Sequence, residues 1–221
     1  MKKTLYFCGM IHSNELAKQV AKQLLQIKAI KLKPSKPFIW ASGMKSPIYC
    51  DNRKALSYPS VRSFICDAFV KTIQDQYPKV DVIAGVATGA IAHGVLVAQA
   101  LNKPFIYVRS DAKKHGLENL VEGHLEKGQR VVVIEDLVST GGSSLKAVEA
   151  LREAGANIEG LLAIFSYGFP KAAESFATAN CELNTLSNYQ TLIEIAFETG
   201  YITDSDIHLL KKWRDNPDDW I

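Results

Sequence analysis

Val131-Val-Val-Ile-Glu-Asp-Leu-Val-Ser-Thr-Gly-Gly-Ser-Ser144 is the stretch on which the reading of this chain turns. Residues 131–134 form a β-branched apolar run with no polar interruption, the pattern of a strand buried on both faces of a parallel sheet. Glu135 and Asp136 then put two carboxylates where that strand is expected to leave the core. Leu137 and Val138 lead to Ser139, Thr140, Gly141, Gly142 and Ser143, a small hydroxyl-rich turn, with Ser143 or Ser144 as the expected cap of a following helix. A Gly-rich turn feeding a helix N-terminus is an anion site, because unpaired backbone N–H groups and the helix dipole point the same way. The run therefore reads as a phosphate cup beside two acids, an arrangement suited to a phosphorylated sugar whose hydroxyls the acids accept from. An ordinary strand, turn and capped helix would carry the same pattern. No Lys follows the glycines, so this is not a Walker loop. The glycines are adjacent and the acids precede them, so it is not the dinucleotide fingerprint either.

Outward from this run, strands and helices alternate. Strands are expected over 80–84, 105–108, 158–165 and 181–186. Helices are expected over 59–76, with Val61, Ile65, Phe69 and Ile73 as its stripe, and over 91–101, 144–154 (stopped by Gly155), 170–179, 189–199 and 204–213. Before them come a helix over 13–27, capped by Ser13, and an extended stretch over 30–40 punctuated by Pro34 and Pro37. Interleaving of this kind implies βαβ units, right-handed crossovers and a mostly parallel central sheet flanked by helices, an α/β fold. Ligands of such sheets sit at the carboxyl ends of the strands. The chain reads as a single domain, residues 1–221, in which a non-alternating hood or lid region (about 1–57) covers a core (about 58–221).

Composition narrows the class. Of the 221 residues, 47% are hydrophobic and 22% charged, as in soluble globular proteins, and a net charge of +3 argues against nucleic acid as a partner. Apolar runs are too short to span a bilayer and the N-terminal patch is too short for a secretory signal, so no membrane partner and a cytoplasmic location are expected. The 4 Cys (Cys8, Cys50, Cys66, Cys181) are widely separated with no C-x-x-C pair, which fits a reducing compartment. His12, His93, His124 and His208 have neither metal spacing nor a nucleophile partner. Trp40, Trp213 and Trp220 read as packing residues.

Three further stretches carry chemistry. Gly85-Val-Ala-Thr-Gly-Ala90 follows an expected strand and opens a helix, so Thr88 and Gly89 belong to a second phosphate-grade loop. Tight strand–helix packing would explain that loop taken alone, but two such loops suit a ligand with two phosphate groups. Arg109-Ser-Asp-Ala-Lys-Lys-His-Gly116 opens a stretch without periodicity that runs to about Gly128, long enough to be a lid. Its Arg109, Lys113 and His115 make it cationic. Phe38-Ile-Trp-Ala-Ser-Gly-Met-Lys-Ser-Pro-Ile-Tyr-Cys-Asp-Asn-Arg53 reads as a turn between two extended segments, with Lys45 and Arg53 available to an anion.

The acid pair followed by Ser-Thr-Gly-Gly-Ser resembles the phosphoribosyl-pyrophosphate motif of type I phosphoribosyltransferases. Arg109-x-x-x-Lys113-x-His115-Gly116, the 38–53 stretch and Tyr189-Gln-Thr-Leu-Ile-Glu194 resemble, more narrowly, the orotate phosphoribosyltransferases. Together these matches run from Phe38 to about Gly200. In enteric-type members a Lys stands at the positions of Ala41 and Ser110, an orotate-contacting Arg follows the strand ending near Phe165, and a Tyr-Lys pair replaces Thr88-Gly89, so the resemblance implies a second branch of the family.

The resemblance implies transfer of ribose 5-phosphate from 5-phosphoribosyl 1-diphosphate to orotate. Lys113, Arg109 and His115 would close over the pyrophosphate as the catalytic group, and Thr88 and Gly89 would hold it. Residues 139–143 would fix the 5-phosphate, with Glu135 and Asp136 on the ribose hydroxyls and Leu137 and Val138 completing the donor site. Ser139, Lys45 and Arg53 would meet orotate. Mg2+ would be the cofactor, held mainly by substrate oxygens with no direct protein ligand, and a homodimer with shared active sites is implied. A purine-type phosphoribosyltransferase or a non-catalytic sensor of the donor are the rival readings; the 38–53 stretch argues against the first and the lack of a basic module against the second.

Overall fold

The computed structural model describes residues 10–11, 13–40, 43–110 and 120–217. Among them the chain runs β1 (Met10–Ile11), α1 (Asn14–Gln26), β2 (Ile30–Leu32), β3 (Phe38–Ile39), β4 (Lys45–Ser46), β5 (Ile48–Cys50) and a 3₁₀ turn (Asn52–Ser57). It continues through α2 (Pro59–Gln76), β6 (Val82–Val86), α3 (Ile91–Leu101), β7 (Phe105–Val108), β8 (Val121–Glu122), β9 (Arg130–Val138) and α4 (Gly142–Glu153). It closes with β10 (Asn157–Ser166), α5 (Pro170–Thr178), β11 (Leu183–Asn188), α6 (Tyr189–Glu198) and α7 (Asp204–Asp215).

Seven strands make the central sheet in the order β1-β11-β10-β9-β6-β7-β8. All neighbours are parallel except β8, which runs antiparallel to β7. The pleat sends alternate residues to opposite faces. Val131 and Val133 pack in one layer with Ala147, Leu151 and Phe176 of α4 and α5. Val132 and Ile134 pack in the other with Ile65, Phe69, Val97 and Leu192 of α2, α3 and α6. Each fully buried side chain of this size contributes about 1.5–3 kcal/mol. At the amino ends of β6 and β9, Arg130 grips Asp81 through Nε (2.9 Å) and Nη2 (2.8 Å), and Asp81 N donates to the Arg130 carbonyl (2.8 Å).

The order of the sheet fixes where a ligand can enter. From β6 the chain crosses through α3 to β7 on one side, and from β9 it crosses through α4 to β10 on the other. The crossover helices lie on opposite faces, so the loops leaving adjacent β6 and β9 diverge and open a crevice at their carboxyl ends.

Several local expectations are corrected. The central strand does not stop at Ile134 but runs on to Val138, because the acids and the residues after them stay in register with β10 (Glu135 with Ala163, Val138 with Ser166). Helix α4 starts at Gly142, capped by neither Ser143 nor Ser144: Gly141, at φ +85°, ends the loop, and a Cβ there would meet the Phe176 ring. β6 begins two residues later than expected, after the Asp81 clamp, and β11 is shifted likewise to Leu183–Asn188. Residues 30–40 are strand only at their two ends. The 38–53 stretch is a hairpin only over β3 and β4; β5 turns away to pair with β2, and Asn52–Ser57 is helical rather than extended. The long unperiodic stretch after β7 contains β8.

Aromatic packing joins the N-terminal hairpin to the last helix. Trp40 lies against Tyr167 at 5.3 Å, and the fully buried Trp213 meets both edge-on at 5.9 Å.

Candidate active site

The crevice between β6 and β9 is a cleft of about 400 Å³ lined by Cys50, Asp51, Arg53, Val86, Ala87, Thr88, Gly89, Glu135, Asp136, Leu137 and Ser143. Three walls meet there: the segment after β5, the loop between β6 and α3, and the end of β9 with the first turn of α4. The β6–α3 loop is held to the sheet by Ala87 N donating to the Val108 carbonyl (2.8 Å), and it closes into α3 through Ala90 N to the Val86 carbonyl (3.1 Å). A Cβ at Gly89 would run into the Asp136 carboxylate, so the β6–α3 loop packs closely on the acidic end of β9.

The acids are held differently. Glu135 is buried; Ser144 Oγ donates to its Oε2 (2.8 Å) and Asp136 N to its Oε1 (3.0 Å). Burial pushes its pKa up, and the neighbouring Asp136 charge pushes it further. Asp136 is half-buried, also raised by burial, with the Glu135 hydrogen bond and the Arg53 charge acting against the rise. Arg53 is exposed and donates through Nε to Asp51 Oδ1 (2.7 Å). Burial, then the charges of Asp136 and Asp51, push the Cys50 thiol well up, so it is not a ready nucleophile. Among the described lining residues there are three carboxylates (Asp51, Glu135, Asp136) and a single guanidinium (Arg53).

Of the residues singled out in the sequence, Thr88, Gly89, Glu135, Asp136, Leu137, Ser143 and Arg53 line this cleft. Ser139, Thr140 and Gly141 form the adjoining loop between β9 and α4 and Gly142 opens α4; none of the four is among the lining residues, and Val138 is fully buried. Lys45, exposed on β4, is not among them either. Arg109 stands at the end of β7 with its guanidinium 3.4 Å from Glu122 of β8, again away from the lining. Lys113 and His115 lie outside the described residues. Cys50, Asp51 and Ala87 line the cleft without having been singled out individually, and Ser144 and Asn52 support it from behind. The Cys-Asp-Asn-Arg run was the available signal for the first two.

Residues 62–175 match the family model of the phosphoribosyl transferase domain. The orotate phosphoribosyltransferase of Bacteroides fragilis is 56% identical to this chain over 205 residues, 93% of this chain and 97% of that protein. Among solved structures, orotate phosphoribosyltransferase from Aeropyrum pernix superposes with a TM-score of 0.73 at 31% identity, covering 83% of this chain and 99% of that one. Leishmania donovani UMP synthase gives 0.74 at 25% identity over 90% of this chain, which spans 42% of that longer protein.

Proposed function

Because the chain belongs to the phosphoribosyltransferase family, and within it to the orotate phosphoribosyltransferases, we propose that its cleft joins ribose 5-phosphate to orotate, yielding orotidine 5'-phosphate and diphosphate for pyrimidine synthesis. The observation that carries the reading is the meeting of the β6–α3 loop and the first turn of α4 beside an acid pair in one cleft. In the reaction the bond from C1 to the diphosphate oxygen breaks, and the diphosphate leaves with the electron pair. A ring nitrogen of the base takes its place at C1 and gives up its proton. The difficulty is charge at C1 and on the leaving group, so positioning and electrostatics suffice without a side-chain nucleophile.

The roles we assign are these. Asp136, facing the cleft beside Gly89, accepts from a ribose hydroxyl, with Glu135 behind it. The backbone N–H groups of the loop over residues 139–143, at the start of α4, take the 5-phosphate, and Thr88 and Gly89 take the diphosphate. Arg53 is the base-side cation, with Ser139 and Lys45 drawn in beside the substrate. Arg109, Lys113 and His115 close over the diphosphate and exclude water, which would otherwise hydrolyse the donor.

Mg2+ fits this lining. The carboxylates of Asp51 and Asp136 make it acidic, so an ion brought in on substrate oxygens would meet favourable charge there. Bound there chiefly through substrate oxygens, the ion would offset the charge of the leaving diphosphate. The active protein is a homodimer in which the loop from Arg109 serves the neighbouring subunit's cleft. No helix among the described residues is long and apolar enough to cross a membrane, and the working compartment we assign is the cytoplasm.

The test is a spectrophotometric assay of orotate consumption with donor and Mg2+, run beside hypoxanthine, adenine and uracil. Turnover of orotate alone is expected. Turnover of a purine base in its place would overturn the reading.

A further inference from the structure

Asn52 belongs to none of the loops given a chemical role above, yet it ties two walls of the cleft together. It is completely buried. Its Nδ2 donates to the backbone carbonyl of Asp136 at 2.6 Å, across 84 positions of sequence. Its Oδ1 accepts from Cys50 Sγ at 3.3 Å. One side-chain amide thus joins the segment after β5 to the acidic end of β9.

From this placement we propose that Asn52 is a positioning residue that sets the spacing between Arg53 and Asp136 across the cleft. The inference rests on the transferase reading of the cleft. Arg53 is the next residue in the same short helical turn, so its guanidinium is carried wherever the Asn52 amide is pinned. Asp136 is gripped at its carbonyl, so its carboxylate keeps its place beside Gly89. Neither an apolar side chain nor a carboxylate could replace Asn52. The first leaves the Asp136 carbonyl without its donor in the interior, and the second sets an acceptor against that carbonyl and a negative charge beside Asp136.

A double-mutant cycle tests this. Asn52→Ala, Arg53→Ala and the double variant are assayed for kcat/KM with orotate and donor, with a thermal melt of each. Asn52→Ala is expected to lose about 10²-fold, the cost of an ångström-scale misplacement, and the double variant to lose much less than the product of the single losses. The acid limb of the kcat/KM–pH profile of Asn52→Ala is expected to move to higher pH, because Arg53 no longer opposes protonation of Asp136. Additive losses with an unmoved profile would overturn the proposal. Should the alanine variant not fold, Asn52→Ser, which keeps a hydroxyl donor, replaces it; failure of both to fold would make Asn52 a structural residue and end the proposal. An inactive parent enzyme would instead count against the transferase reading itself.

Discussion

Ser144, the third residue of α4, gives its hydroxyl to Glu135 Oε2 at 2.8 Å, so the helix that starts at the phosphate loop also holds the first acid of the pair. Both groups are buried. Removing the donor leaves a carboxyl oxygen without a partner in the interior, at a cost of about 1–3 kcal/mol. Ser144→Ala should therefore melt lower, by roughly 2–4 °C for each kcal/mol lost in a chain of this size. A melting temperature within a degree of the parent would remove the bond from the list of what holds the site.

The raised Glu135 pKa gives a pH dependence with a definite sign. Burial pushes this group up to about 8, whereas in the unfolded chain it returns to the ordinary carboxylate range. Between those values the folded protein holds a proton that the unfolded chain does not. Stability of the ligand-free protein therefore falls as pH rises through that window, by at most about 1.4 kcal/mol per pH unit from this group. Asp136 is displaced in the same direction. Asp81, held below the usual carboxylate range chiefly by its hydrogen bonds from Arg130, acts oppositely: its contribution is present above that range and lost in acid. Denaturant titrations of the parent and Glu135→Gln from pH 5 to 8 should show a steeper decline in the parent than in the variant, which keeps only the Asp136 contribution. Parallel curves would refute it.

Gly89→Ala tests the close approach of the β6–α3 loop to the acid pair. The added methyl meets the Asp136 carboxylate, so either the loop or the acid must shift. Activity should fall by about 10²-fold. Because Gly89 sits in the wall of an open cleft, the melting temperature should change little. Wild-type kcat/KM in the alanine enzyme would mean that the site does not need this spacing.

The charge of the lining calls for cations from elsewhere. With Asp51 and Asp136 against Arg53 alone as the charged groups expected at neutral pH among the described lining residues, a departing diphosphate would, on the proposed reading, draw on the metal and on the loop that follows Arg109. Lys113→Ala should lower kcat by about 10²- to 10³-fold, the size of losing one preorganised charge donor. Steady-state rates within a few-fold of the parent would exclude Lys113 from that role.

Local signals carried much of the fold. Pro59 at the first position of α2 and the apolar stripe behind it gave that helix its bounds, and Ile91–Leu101 and Phe105–Val108 were legible in the same way. Misreadings arose where tertiary partners outweigh local preference. Two carboxylates argue for the end of a strand, but pairing with β10 and the Ser144 hydroxyl keep Glu135 inside one. Ser144 looked like a helix cap because serine so often is one; here a left-handed glycine opens the helix and the serine turns inward. Asn52 could not be read at all, since the carbonyl it holds lies 84 positions away and nothing beside it in the chain announces the contact.

The sheet also ends abruptly. Its two margins, β1 and β8, are strands of two residues each among the described residues. Margins this short offer little template for another chain to add a strand, which is how many soluble proteins escape edge-to-edge aggregation. Among the described residues, the edges that this sheet would offer a second copy are these two short ones.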